Sequence, residues 1–382
     1  MRTSAPTLRT SSPLRRALAQ VDWLLVGFTL ILSSAGVLGI YSAIHSNPDL
    51  MAYGLHWKQA LWSTIGLGVL AFILLFDYHH FTRMAYFFYG MILILLIAVF
   101  ITGRVVYGAK RWLALGPMRL QPSEMARLAI ILLLARQFGG RDSAEPLRLS
   151  ELLAPFVLVM IPVTLIARQP DLGTAFTTFL TAAVMVCAVG VQRRILCAAG
   201  ALAVALAPLG WFFLKDYQRN RILTLFNPDA DPLGAGYQSM QSQIAVGSGE
   251  FWGKGLLQGT QSRLHFLPEK HTDFIFSVLS EELGFAGATS LLVLFLIFIH
   301  RCMLAALNAG DKEGALIATG VATSFFFYAA FNIGMTLGII PIVGIPLPLV
   351  SYGGSASLTA FIAVGLVLNV RMRRRGYNAF GR

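Results

Sequence analysis

Charge is what this sequence has least of. Only 13% of its 382 residues are charged, while 56% are hydrophobic; a soluble domain carries about 25% charged residues. That shortage excludes a soluble enzyme and a disordered chain. Cysteine is scarcer still, with three residues. Cys187, Cys197 and Cys302 have no partners at disulfide or metal-ligand spacing, so a disulfide-rich module is excluded and small buried residues are expected. Acids are few as well: 18 Asp and Glu against 30 Lys and Arg leave a net charge of +12. In a soluble protein that excess would point to nucleic acid. In a membrane chain it first records topology, so the location of each cation matters more than the total. The basic start (Arg2, Arg9, Arg15, Arg16) leads into a full-length apolar segment, so no signal peptide is expected.

Long apolar runs are abundant instead. A helix needs about 20 apolar residues to cross the hydrocarbon core. That length predicts spans near 22–43, 59–76, 84–103, 123–138, 151–167, 172–191, 195–214, 274–299, 314–339 and 349–370. The last two divide the 57 uncharged residues from Gly314 to Val370, with Pro341 to Pro348 as the break. The fourth is the weakest, uncharged only from Leu128 to Ala135. The expected fold is all-α and polytopic: a basic tail 1–21, one ten-span membrane domain 22–370 and a basic tail 371–382. Placing both termini in the cytoplasm puts 17 basic residues inside and six in the short outer loops. The positive-inside rule therefore fixes that orientation. The loop 104–122, the turn 168–171 and the long loop 215–272 then lie outside.

The scarce polar residues gather on that outer face. Gln121-Pro122-Ser123-Glu124, Gln169-Pro170-Asp171-Leu172-Gly173-Thr174 and Pro268-Glu269-Lys270-His271-Thr272-Asp273 each open an inward-running span. Any one acid could simply cap its helix, because carboxylates favour helix N-termini. Three on one face point to a shared site. Asp273, flanked by Phe274, Ile275 and Phe276, sits at the rim of the apolar region and is a candidate general base for a sugar hydroxyl. Glu124 and Arg127 share a helix face at i, i+3 and can pair, as a structural ion pair or as part of the site. Glu281 and Glu282 are expected to face the bundle interior and be hydrogen-bonded. His79-His80 reads as a plain turn, and His271 either orients Asp273 or touches substrate. No metal site is indicated.

Cations lead into these motifs. Lys110 and Arg111 stand beside Trp112. Arg219, Arg221, Lys254, Arg263 and Lys270 are interleaved with Gly and Gln in the long loop, including Gln261. Arg, Lys and free backbone amides suit phosphate, while Gln and Trp suit sugars. A Walker loop is excluded by the glycine spacing.

These stretches, together with Gly236-Tyr237-Gln238, Gly253-Lys254-Gly255, Gly259-Thr260-Gln261-Ser262 and Ser351-Tyr352-Gly353-Gly354, resemble the SEDS (shape, elongation, division, sporulation) proteins over residues 20 to 372. Pro341 to Tyr352 is more similar to the elongation branch, RodA, than to the division branch, FtsW. The resemblance implies a peptidoglycan glycosyltransferase that polymerises lipid II into a growing glycan strand outside the bacterial plasma membrane. It also implies a class B penicillin-binding protein as transpeptidase partner, and no nucleic acid. The family's essential aspartate falls on Asp273, and its outer-cavity acid and base on Glu124 and Arg127. Two positions depart from the pattern. Arg127 stands where the family usually has Lys, and Glu250 where it often has Gly.

The implied chemistry is an inverting transfer with undecaprenyl diphosphate as leaving group. Lys110, Arg111, Arg263 and Lys270 are expected to meet the developing charge, or a divalent cation bound at the diphosphate; no other cofactor is expected. A transporter flipping the same lipid would also use intramembrane charges. The crowding of polar motifs on one face speaks against it, and a non-catalytic scaffold leaves the carboxylates unexplained.

Overall fold

The computed structural model describes residues 20–377, apart from 107–108, 116–117, 142–144, 232–233, 265 and 268. Gly108 and Pro268, parts of two motifs, lie outside the described residues, as do 1–19 and 378–382. Seven helices come first among the long ones: α1 (Trp23–His45), α2 (Leu55–Leu75), α3 (Ala85–Thr102), α4 (Pro122–Gly139), α5 (Leu149–Arg168), α6 (Leu172–Val189) and α7 (Arg193–Phe213). The long loop carries α8 (Asp216–Phe226) and α9 (Ala235–Ser248). Then follow α10 (Ile275–Leu307), α11 (Lys312–Thr336) and α12 (Gly354–Tyr377). Ten of these helices fall on the ten expected spans.

Among the described residues, nine helical segments are long and apolar enough to cross a membrane. The remaining span, α4, carries Glu124, Arg127 and Arg136. Its position explains how it tolerates them. Fourteen of its 18 residues are buried, packed among α3, α6, α11 and α12. A charged helix can sit at membrane depth when protein, not lipid, surrounds it. Helix α7 is the opposite case: none of its apolar window is buried, and Val204 and Phe212 are three-quarters exposed. Such a helix holds its place by lipid contact and its ends. Cys302 is buried as expected, but Cys187 and Cys197 are exposed, because they lie on α6 and α7.

Three features depart from the all-helical expectation. The loop 104–122 folds into a small antiparallel sheet of β1 (Arg104–Val106), β2 (Ala109–Leu115) and β3 (Met118–Leu120), in that order. Span ten starts late, at Gly354, because Pro341, Pro346 and Pro348 keep the preceding segment out of a helix. Helix α10 is broken at Gly284, which has φ 66° and ψ −166°. A break at membrane depth frees backbone groups that must find partners. The long loop supplies them: Phe285 N donates to Glu250 O at 2.8 Å, Ala286 N to Phe251 O at 3.0 Å, and Gly255 N to Glu282 O at 3.0 Å. The approach requires glycine on both sides, since a Cβ on Gly284 would lie 2.2 Å from Gly253 N. Glu250 itself has φ 50°, a left-handed backbone that explains the family's glycine there.

At the end of the bundle remote from the long loop, Asp22 caps α1 and pairs with Arg301 at 2.7 Å and with Arg371. His79 lies 2.6 Å from Asp77 and 3.5 Å from Asp311. These pairs tie helix ends together. Among the described residues no cluster of three or more His, Cys, Asp or Glu could hold a metal.

Candidate active site

The first two re-entry motifs meet directly, and the third lies within electrostatic reach of them. Asp171 caps α6, accepting from Thr174 N at 3.4 Å, so the capping role is real. The same carboxylate also accepts from Gln121 Nε2 at 3.2 Å and from Ser123 Oγ at 3.3 Å. One side chain therefore joins the start of α6 to the start of α4. Arg111, on β2, donates from Nε to Gln169 O at 3.2 Å, bonds Pro170 O, and lies 4.0 Å from Asp171. The small sheet thus serves to aim Arg111 at the second motif. Gln169 turns its amide away, donating to Leu96 O at 2.9 Å.

Beneath this lies a buried trio. Arg127 Nη2 is 3.3 Å from Glu124 Oε2, and Tyr328 of α11 donates to Glu124 Oε1 at 3.3 Å. The Arg127 guanidinium stacks 3.8 Å from the Tyr328 ring centroid. A flat fork suits that stacking better than an ammonium. Two of its nitrogens, Nε and Nη1, are buried without a hydrogen-bond partner among the described residues.

Asp273 is half-buried immediately before α10. Burial, first, and the Glu269 charge, second, push its pKa up to about 7, against the pull of Arg111 and Arg221. A carboxylic acid that titrates near neutrality can accept a proton at working pH. Arg221, on α8, is held below the usual guanidinium range by burial and by Arg111, while Asp273 and Asp171 act the other way. Charges from β2, α8 and α6 therefore converge on the Asp273 carboxylate. Lys270 is buried, and burial brings its ammonium down to about 8. Burial also lowers the His271 imidazole, whose ring faces Tyr352 at 5.8 Å. Glu269 accepts from Thr272 Oγ1 at 3.1 Å within the same turn.

Other expected residues lie elsewhere. Lys254 Nζ bonds Ser248 and Thr260 Oγ1, both at 2.7 Å, and Glu281 at 2.7 Å. Gln261 N also donates to Glu281, at 3.0 Å. The Lys254 ammonium and the Gln261 backbone amide thus fasten the loop to α10, while the Gln261 side-chain oxygen is buried with no hydrogen-bond partner among the described residues. Glu282 accepts from Ser42 at 2.5 Å, so the two glutamates are buried and bonded, but to the long loop and α1. Lys110 and Arg263 are exposed, and Trp112 is half-buried. Arg221 was one loop cation among several, with no glycine to mark it. Tyr328 and Asn332 stand in an uncharged span, and only their polarity in that setting could have singled them out.

A model of the cell cycle protein family of FtsW, RodA and SpoVE matches residues 22–376. The peptidoglycan glycosyltransferase MrdB of Escherichia coli (strain K12) is 46% identical over 288 residues, 75% of this chain and 77% of the relative. The peptidoglycan glycosyltransferase RodA of Treponema pallidum (strain Nichols) is 35% identical over 431 residues, covering 94% of this chain and 99% of the relative. A chain from a solved peptidoglycan synthase complex, described for coordinating polymerisation and crosslinking, superposes with a TM-score of 0.79. That match has 32% identity over 93% of this chain and 98% of the other.

Proposed function

Since the chain belongs to the cell cycle protein family of FtsW, RodA and SpoVE, we propose that Asp273 is the general base of its reaction. The chain is a peptidoglycan glycosyltransferase of the elongation type. The observation that carries the assignment is the place of Asp273 on the turn before α10, half-buried and within electrostatic reach of Arg111, Arg221 and Asp171. Asp273 takes the proton from the 4-hydroxyl of the acceptor sugar. The freed oxygen attacks the anomeric carbon of the lipid-linked donor, and undecaprenyl diphosphate leaves with inversion. Negative charge grows on the diphosphate, so cations are needed where it departs. Arg111 and Arg221 fill that role, with Lys270 beside them and Lys110 and Arg263 on approach. A divalent cation at the diphosphate would add to that positive charge. Glu124 and Arg127 form a buried pair that supports the start of α4, and Gln169 anchors the turn before α6 to Leu96.

The active face is extracytoplasmic and both termini are cytoplasmic, a reading supported by the distribution of basic residues. The apolar face that α7 leaves open suits the lipid tail. A class B penicillin-binding protein is the partner that crosslinks the strand, a reading supported by the likeness to a synthase complex. The test uses purified protein with its transpeptidase partner and labelled lipid II in detergent, where flipping has no meaning. Wild type yields glycan polymer and Asp273→Ala yields none. Polymer from Asp273→Ala at the wild-type rate refutes the assignment.

A further inference from the structure

Three consecutive backbone carbonyl oxygens, those of residues 271 to 273, are each held by a different donor. Tyr352 N donates to His271 O at 3.0 Å, Ser351 Oγ to Thr272 O at 2.6 Å, and Asn332 Nδ2 to Asp273 O at 2.8 Å. All three donors belong to α11 or to the connection between α11 and α12. A half-buried non-helical turn would ordinarily leave such carbonyls to water. Here none of the three depends on it.

The donors are themselves fixed. Asn332 is fully buried, and the same amide nitrogen donates to Ile345 O at 2.7 Å. Its two amide hydrogens therefore tie Asp273 to the proline-rich segment. Ser351 Oγ accepts from Leu347 N at 2.8 Å while donating to Thr272. Gln59 of α2, also fully buried, accepts from Gly353 N at 3.1 Å and donates to Ser357 Oγ at 2.8 Å. On the other side, Thr272 N and Phe274 N both donate to Glu269 O, at 3.1 and 3.3 Å. Gly344 completes the enclosure: a Cβ there would lie 3.4 Å from Asp273 Oδ2.

The carboxylate accepts no hydrogen bond from the described residues, so the clamped backbone is what anchors the side chain among the charges that face it. We propose that Asn332 and Ser351 are positioning residues for the glycosyl transfer, holding Asp273 in register with Arg111 and Arg221. The proposal rests on Asp273 being the base. A misplacement of about 1 Å at a reacting group costs roughly 100-fold in rate, so loss of one anchor has a kinetic signature.

The test measures kcat, KM and the pH dependence of lipid II polymerisation, with the partner present, for Asn332→Ala, Ser351→Ala and Ser351→Thr. Both alanine variants should lower kcat by about 10- to 100-fold with KM within about twofold. The charged groups facing Asp273 are Glu269, Asp171, Arg111 and Arg221, with Lys270 and His271 on the same turn. Burial is the largest cause of its raised pKa. A freed carboxylate reaches more water, so the acid limb of the profile should move to lower pH. Ser351→Thr keeps the hydroxyl and should restore kcat. Folded alanine variants with wild-type kcat and an unmoved limb overturn the proposal. So does loss of the monodisperse folded peak in both, because the bonds would then hold the fold and not the carboxylate. An Asp273→Ala protein that still polymerises sinks the base assignment instead, whatever the clamp variants do.

Discussion

Asp273 and Glu281 lie eight residues apart, and the protein treats their carboxylates in opposite ways. Glu281 is fully buried, and its Oε1 accepts from Lys254 Nζ at 2.7 Å, Thr260 N at 2.7 Å, Thr260 Oγ1 at 2.9 Å and Gln261 N at 3.0 Å. Asp273 is surrounded by charges from four residues but accepts no hydrogen bond from the described residues. A carboxylate whose donors are supplied by the protein is a fastening. One that is clamped by its backbone, accepts no hydrogen bond from the described residues and is faced by cations is ready to bind and take a proton. The difference separates structure from chemistry better than burial does.

That contrast makes opposed predictions for the two acids, and the largest effect belongs to Asp273. Asp273→Asn should lower polymerisation by about 100- to 10,000-fold, the usual contribution of a general base, with folding intact. It should also melt higher than wild type at pH 8. The folded pKa is raised from 3.8 to about 7, so ionising this group opposes folding as pH rises through that window, and Asn removes the cost. Thermal unfolding in detergent checks the sign.

Glu281→Ala should do the reverse. Removing one partner of a buried ion pair costs about 3–5 kcal/mol, because Lys254 and the Thr260 and Gln261 amides lose their acceptor. Melting should fall well below wild type, while kcat per folded molecule stays near normal. A Glu281→Ala protein as stable as wild type but inactive would erase the distinction between the two acids.

The smallest effect tests the loop that Glu281 fastens. Glu250 adopts φ 50°, where a non-glycine residue costs roughly 1 kcal/mol. Glu250→Gly should therefore stabilise the protein by about that amount and leave the rate alone, as read by melting and polymerisation together.

Much of this was legible in the residues. Apolar runs placed ten helices, and prolines followed by acids marked the starts of α4 and α6 and the turn before α10, which do converge. What spacing could not show was which charges would be taken up by other parts of the chain. Lys254 carried the same glycine-flanked signature as a phosphate ligand, yet Glu281 claims it through a contact 27 residues away. Arg221 was one loop cation among several, and nothing in its spacing showed that its charge would act on Asp273 from α8. The break at Gly284 was one glycine in an apolar run, and only the loop's backbone amides give it a reason. Asn332 was invisible to a reading based on charge, since its work is done by an amide at the end of an apolar span.

The central claim, that Asp273 is a base poised by its cations, is tested most directly by the pH dependence of kcat for wild type and Arg221→Gln. The wild-type rate should fall on the acid side with an apparent pKa near 7, as Asp273 protonates. Arg221 holds that pKa down, so its removal should move the acid limb to higher pH. A wild-type rate flat through pH 7, or a limb that stays put or moves lower in Arg221→Gln, would contradict it.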